Sequence, residues 1–391
     1  MNILFVTMLN PHLMKSGGEQ RTHRLWNGLK RHGRVFTFLI DGGSSTSGEI
    51  IGDEHPIFKF KPVPIKKRIA YKANIIPNSL TLFEFNLGNG YIFPSPTTVF
   101  EGVHFDLIVS RYIYPFFRFK CWGLAPILID IDDHPEQVFE TVNSRKIHPL
   151  FRPLGRIITR FATKSIIKKS IGGWISNSEQ VHLCGSNYHY LPNIPYGPSS
   201  SYVEGYSDRA DLFTVGLLNY PPNSDGINRF LRDIWPSFHA KYPDVKYFIA
   251  GKGASEEDQT VWNNTEGVEY LGFVDNLENL YQKSLATVVP VYSGGGTCIK
   301  TLESMAFSRI CLSSKFGVRG LPESVINERK GVLIFDTADS FIDAYEAVLD
   351  KDYRERQESL GREMITKYYS IESFYSAIDE LINSVSIKHA T

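Results

Sequence analysis

The segment Pro290-Val-Tyr-Ser-Gly-Gly-Gly-Thr-Cys-Ile-Lys-Thr-Leu-Glu-Ser-Met-Ala306 decides how the chain is read. A buried-strand pattern runs into three glycines, and a helical pattern follows that carries Thr297, Lys300 and Glu303. Strand, glycine turn, helix is the unit from which doubly wound α/β sheets are built. Gly294, Gly295 and Gly296 have no Cβ, so their amides can approach an anion closely, and the helix N-terminus adds positive partial charge. Lys300, one turn in, can supply a full charge to a phosphate. Glu303 falls three residues further on the same face, where a carboxylate can accept hydrogen bonds from two ribose hydroxyls. Together these meet the needs of a nucleoside diphosphate. The bland reading is a plain glycine-rich strand-to-helix turn.

Working outward, the second half alternates strands and helices. Strands are expected at 212–216, 245–250, 268–271, 286–289, 309–313 and 331–334, with helices at 226–242, 277–284 and 299–306. The first half begins in the same way. Asn2-Ile-Leu-Phe-Val-Thr7 reads as a strand, Ser16-Gly17-Gly18-Glu19 as a loop, 21–32 as a helix and 35–40 as a second strand. Further strands are expected at 107–110, 126–130 and 173–176. Region 43–100, rich in Gly, Pro and Ser, reads as an excursion beyond the sheet. The stretch 191–201, equally rich in these residues, marks the exit from the first domain. The expected architecture is α/β, two Rossmann-like domains in tandem with a cleft between them. The boundaries are 1–205, 206–365 and a helical tail at 366–391 that returns to the first domain.

The chain has 391 residues, 42% hydrophobic and 21% charged, which excludes wholesale disorder. No apolar run approaches the roughly 18–20 residues of a membrane-spanning helix. The N-terminus lacks a basic stretch before its apolar run and reads as a strand, not a signal peptide. Four scattered cysteines show no metal-ligand or redox spacing, which fits a reducing cytoplasm. Basic and acidic residues total 42 each, yet residues 1–205 hold 23 basic against 15 acidic, and the remainder 19 against 27. The excess of cations is clustered in 59–72 and 145–169, both free of acids. Basic residues mixed with aromatics suit adsorption to anionic lipid at the inner face of the membrane. A solvated basic face is the alternative, and no nucleic-acid motif accompanies these runs.

The segment 294–306 resembles the donor-binding segment of GT-B glycosyltransferases of the retaining family 4 (group 1) type. Other segments agree in order: 213–226, with Gly216, Asn219 and Asn223; 248–253, with Gly251 and Lys252; 270–275, with Phe273 and Val274, whose backbone would read the nucleotide base; and 317–321. Gly17 and Gly18 resemble the family's glycine loop facing the donor phosphates. The resemblance implies transfer of a sugar from a nucleotide diphosphate to a glycan or lipid-linked acceptor, with no metal and no cofactor, in surface polysaccharide or glycoconjugate synthesis. Two departures stand out. The first carboxylate of the family's Glu-x7-Glu is replaced by Gly295, and Asn219 and Asn223 occupy the region of the usual Arg/Lys pair. Lys300, Lys252 and Arg319 are then the cations left for the leaving diphosphate.

A second polar cluster, Asp130-Ile-Asp-Asp-His134, ends an apolar strand, the edge where open α/β sheets bind ligands. In the family pattern Asp133 or His134 faces the sugar donor. Asp130 and Asp132 can alternatively be read as a metal-holding Asp-x-Asp, as a phosphatase nucleophile with its partner, or as helix caps. A catalytically inactive nucleotide-sugar-binding subunit is a third class. In 174–179, Ser178 is the expected N-cap of the next helix.

Overall fold

Strand β1, Asn2–Thr7, is almost wholly apolar and buried, as a central parallel strand covered on both faces must be. In the computed structural model of the protein, residues 1–14, 16–40, 48–60, 63–64, 91–92, 94–113, 123–141, 144, 148–198, 210–294 and 297–390 are described. They form two units: Met1–Asn193 with Phe374–Thr391, and Ile194–Ser373.

In the first unit, β1 lies between β2, Arg34–Ile40, and β7, Leu107–Arg111. The sheet runs on through β8, Ile127–Asp130, β9, Gly172–Ile175, and β10, Tyr188–Tyr190. On the other side it continues to β4, Ile57–Phe60, and β3, Glu49–Ile51. All pairs are parallel except β3 with β4. The region expected to leave the sheet therefore adds two strands to it. A separate ribbon pairs β5, Val63–Pro64, with β6, Tyr91–Ile92. Most of the basic run 59–72 lies outside the described residues, Lys59 excepted.

The second unit holds six parallel strands: β11, Leu212–Val215; β12, Tyr247–Ala250; β13, Val268–Gly272; β14, Ala286–Val289; β15, Ile310–Ser314; and β16, Val332–Phe335. Their order, β13-β12-β11-β14-β15-β16, is that of a Rossmann sheet. The order reverses between β11 and β14, the crevice where such sheets bind ligands. The single helix expected at 226–242 is two, Pro221–Asp233 and Trp235–Lys241, because Pro236 near the start of the second has no amide to continue the first. Each unit has its own core. In the first, Leu4, Val6, Phe38, Ile108 and Ile129 pack from the sheet. The second is aromatic, with the Phe230 ring 5.0 Å from Phe341 and 5.2 Å from Tyr247.

Candidate functional site

In the second unit the expected donor residues gather at the carboxyl ends of β11, β12 and β14. The backbone pairing of β11 with β12 continues into their loops: Gly216 N–H donates to Ala250 O at 3.0 Å and Leu218 N–H to Lys252 O at 2.9 Å. This sets Gly216, Gly251 and Lys252 side by side, with Lys252 exposed. The helix Ile299–Ala306, which follows β14, is pinned from behind. Thr301 Oγ1 donates to Gly317 O at 2.7 Å, Ser304 Oγ to Arg309 O at 2.9 Å, and Leu302 and Met305 are buried.

Lys300 leaves this helix toward β11. Its Nζ donates to Asn223 Oδ1 at 2.8 Å, and Asn223 Nδ2 donates to Leu217 O at 2.7 Å. A Cβ on Gly216 would lie 2.6 Å from Lys300 Cε, so glycine is required for the lysine to reach its place. Asn223 is buried, and its amide is committed to holding Lys300 and the 217 carbonyl. It positions the cation. Asn219 is exposed beside Gly253, where a Cβ would meet its side chain at 3.0 Å. Gly294 adopts φ +135°, and a Cβ there would stand 3.4 Å from Arg319 Nη2. Arg319 is half-buried, with Nη1 donating to Phe316 O at 3.0 Å. Thr297 is buried beneath Gly320 and Glu303 is half-buried. Phe273, exposed, and Val274 follow β13, two strand spacings (about 10 Å) from β11. Gly295 and Gly296 lie outside the described residues.

In the first unit, Gly17 and Gly18 are already helical. The helix spans Gly17–Lys30, and Ser16 caps it by accepting from Glu19 N–H at 3.3 Å. A Cβ on Gly18 would come within 3.1 Å of both Leu9 Cδ1 and the Tyr112 hydroxyl. Beneath this turn lies a buried ionic network. Arg21 donates through Nε to Asp130 Oδ2 at 2.9 Å and through Nη2 to Asp130 Oδ1 at 2.5 Å. Its Nη1 holds Leu191 O, Pro192 O and Asn193 Oδ1 at 2.9–3.2 Å. Arg111 reaches Asp132 Oδ2 at 2.7 Å and Thr22 Oγ1 at 3.2 Å. Its Nη1 approaches Asp130 Oδ2 at 3.0 Å as an ion pair, without hydrogen-bond alignment. Burial alone would push the Asp132 carboxyl up, but Arg111 and Arg21 outweigh it and hold the pKa at about 2.

This geometry overturns the two Asp-x-Asp chemistries. Asp130 is wholly buried with both oxygens held by arginine, so it is available neither to a metal nor as a nucleophile. Among the described residues no group of three or more His, Cys, Asp or Glu side chains is arranged to hold a metal. Asp133 is half-buried. The His134 carbonyl accepts from Gln137 and Val138 at 2.9 and 3.1 Å, opening the helix Pro135–Thr141. The His134 ring is buried and lines a cavity of about 580 Å³ with Glu136, Arg156, Arg160 and Lys164. Burial lowers its pKa against the opposing attraction of Glu136, and His182 adds a little to the lowering. The helix cap expected at Ser178 is Asn177, which accepts from Glu179 N–H at 2.9 Å.

Residues 209–351 match the family model of Glycosyl transferases group 1. No curated protein matches the chain in sequence. Among solved structures, the sucrose-phosphate synthase of Thermosynechococcus elongatus is similar with a TM-score of 0.69 at 14% identity, over 99% of both chains. WaaG, described as a glycosyltransferase involved in lipopolysaccharide biosynthesis, is similar with a TM-score of 0.60 at 13% identity, over 97% of this chain and 99% of its own. Anabaena HepE, solved with UDP and glucose, is similar with a TM-score of 0.60 at 12% identity, over 98% and 99%. Two Rossmann-like units in tandem, the second matched by the group 1 model over 209–351, give this chain the GT-B fold.

Proposed function

We propose that the protein transfers a sugar from a nucleotide diphosphate donor to a glycan or lipid-linked acceptor with retention of anomeric configuration, in surface polysaccharide or glycoconjugate synthesis. The observation that carries the reading is Lys300, fixed by Asn223 against Gly216 at the β11/β14 crevice. In the proposed step, the bond from the anomeric carbon to the diphosphate oxygen breaks with its electron pair leaving on the diphosphate. A new bond forms from the acceptor oxygen on the same face, and the acceptor's proton passes to the departing diphosphate. Catalysis then depends on stabilising charge on the leaving group, which Lys300 and the first turn of its helix supply. Glu303 binds the ribose. Arg319, close to Gly294, is a second cation for the phosphates. Asp133 and His134 are the first unit's candidate sugar-contacting residues, and Gly17 and Gly18 its candidate phosphate-contacting glycines. No metal or cofactor takes part. The protein works in the cytoplasm, peripherally at the inner face of the membrane.

The test is a thermal-shift screen over nucleoside diphosphates, beginning with UDP, followed by donor hydrolysis with and without chelator. A ligand at 100 times its dissociation constant adds about 2.7 kcal/mol of stability. Stabilisation by one diphosphate, with chelator-insensitive turnover and a product of unchanged anomeric configuration by NMR, is the expected result. Strict dependence on Mg²⁺ or Mn²⁺ would overturn the metal-free mechanism. Tight binding without any turnover would favour an inactive binding subunit.

A further inference from the structure

The turn Pro149–Phe151 runs directly into the helix Arg152–Ile167, and this helix is packed inside out. Its inward face is made of Gly155, Thr159, Ala162, Thr163 and Ile166, mostly small side chains. Its large apolar side chains face away from the core: Leu150 is 78% exposed, Leu154 54%, Ile157 64% and Phe161 73%. Positions 150, 154, 157 and 161 follow the helical period, so they form one stripe opposite the buried face. Phe151 is exposed beside it. Single exposed apolar residues are ordinary on a protein surface, whereas a contiguous row marks an interaction site.

Charge says what kind of partner the stripe fits. One and two turns further on, the same stripe continues as Lys164 and Lys168, both exposed. No acidic residue occurs between 145 and 169. On one flank Arg156 pairs with Glu140, and Arg160 Nε holds Glu136 at 2.9 Å, which ties the helix to its neighbour Pro135–Thr141. The outward face is therefore apolar for three turns and cationic thereafter.

We propose that this face docks on an anionic lipid bilayer, with Leu150, Leu154, Ile157 and Phe161 entering the interface and Lys164 and Lys168 meeting headgroup phosphates. The inference deepens the peripheral-membrane part of the function proposed above. It does not rest on the transfer chemistry. A second copy of the chain could cover the same stripe, and that occupant is an outcome of the test.

The full chain is mixed, without donor or acceptor, with vesicles of phosphatidylcholine alone or with phosphatidylglycerol, and bound protein is read by co-sedimentation. Partition onto the anionic vesicles, weakened by salt, is the expected result. The double variant Ile157→Ser/Phe161→Ser should partition at least about tenfold less on the same vesicles. Lys164→Gln/Lys168→Gln should lose about fivefold per lysine on anionic vesicles and leave the weak partition onto neutral ones unchanged. All four side chains are solvent-exposed, so unchanged melting temperatures should accompany both variants. Partition of the serine variant equal to that of the parent would overturn the proposal. A parent dimer that the serine variant dissociates, with no vesicle binding by either, would also overturn it and assign the stripe to a second copy. Neither result bears on donor binding, which the thermal-shift screen reads separately.

Discussion

Lys300 owes its position to a residue that the sequence pattern places in the donor site for another reason. Asn223 stands in the region of the family's missing cations, yet its buried amide holds Lys300, which reaches it from the helix after β14. Replacing Lys300 with Ala should lower turnover on the order of 10²–10³-fold while the melting temperature holds, the range for losing one preorganised electrostatic donor. Lys300→Arg should restore part of it, because a planar guanidinium does not fit the space of an ammonium packed on Gly216. Asn223→Ala should cost less, about tenfold in kcat, since the cation remains and only its placement is lost. A variant at Asn223 that changed KM alone would make it a ligand of the donor instead. Glu303→Gln should weaken nucleoside diphosphate binding by about 1–3 kcal/mol, measured by calorimetry, as unpaired ribose hydroxyls would.

At the scale of elements, the network of Arg21, Arg111, Asp130 and Asp132 joins the first helix, the ends of β7 and β8 and the segment 191–193. Removing one member leaves a buried charge without its partner, so Asp130→Ala should destabilise the first unit by about 3–5 kcal/mol and leave nucleotide binding by the second unit intact. Asp132, with a pKa of about 2, contributes in full above pH 4, and its contribution fades as pH falls from 4 toward 2. That loss is about 2 kcal/mol, visible as a falling melting temperature that Asp132→Asn no longer shows. Much of the scaffold was legible in sequence because parallel strands buried on both faces are continuous apolar runs. The helix Ile299–Ala306 was read to the residue. The network was not legible. Arg21 sits in a helical pattern that looks like any amphipathic surface helix, and only the fold brings it to a carboxylate 109 positions away. Pattern also misread β3 and β4, whose short strands are masked by flanking Gly, Pro and Ser.

Across the whole molecule, the chain leaves the first unit after Asn193 and returns to it at Phe374. The helix Ile371–Ala390 seats Phe374, Ile378, Leu381 and Ile382 in buried positions. Ile378 lies so close to the first helix that a Cβ on Gly28 would stand 2.6 Å from its methyl group. Asp379 receives Arg31 at 2.9 Å and His32 at 2.7 Å. Glu358, in the preceding helix Lys351–Tyr368, is buried, and burial outweighs Arg309 and Arg354 to raise its pKa to about 7. An acid whose pKa is raised on folding stabilises fully below its unfolded pKa near 4.5 and loses that contribution as pH rises through 7. Glu358→Gln should therefore raise the melting temperature relative to the parent at pH 8 and change it little at pH 5. The return of the last helix also sets an order of events during synthesis. The ribosome delivers Ile194–Ser373 as one uninterrupted stretch, whereas the unit begun first waits for the helix from Ile371 before its own surface can close. Translation thus completes the second unit before the first, and a chain cut before Phe374 would carry a finished second unit and a first unit that lacks the helix covering Gly28.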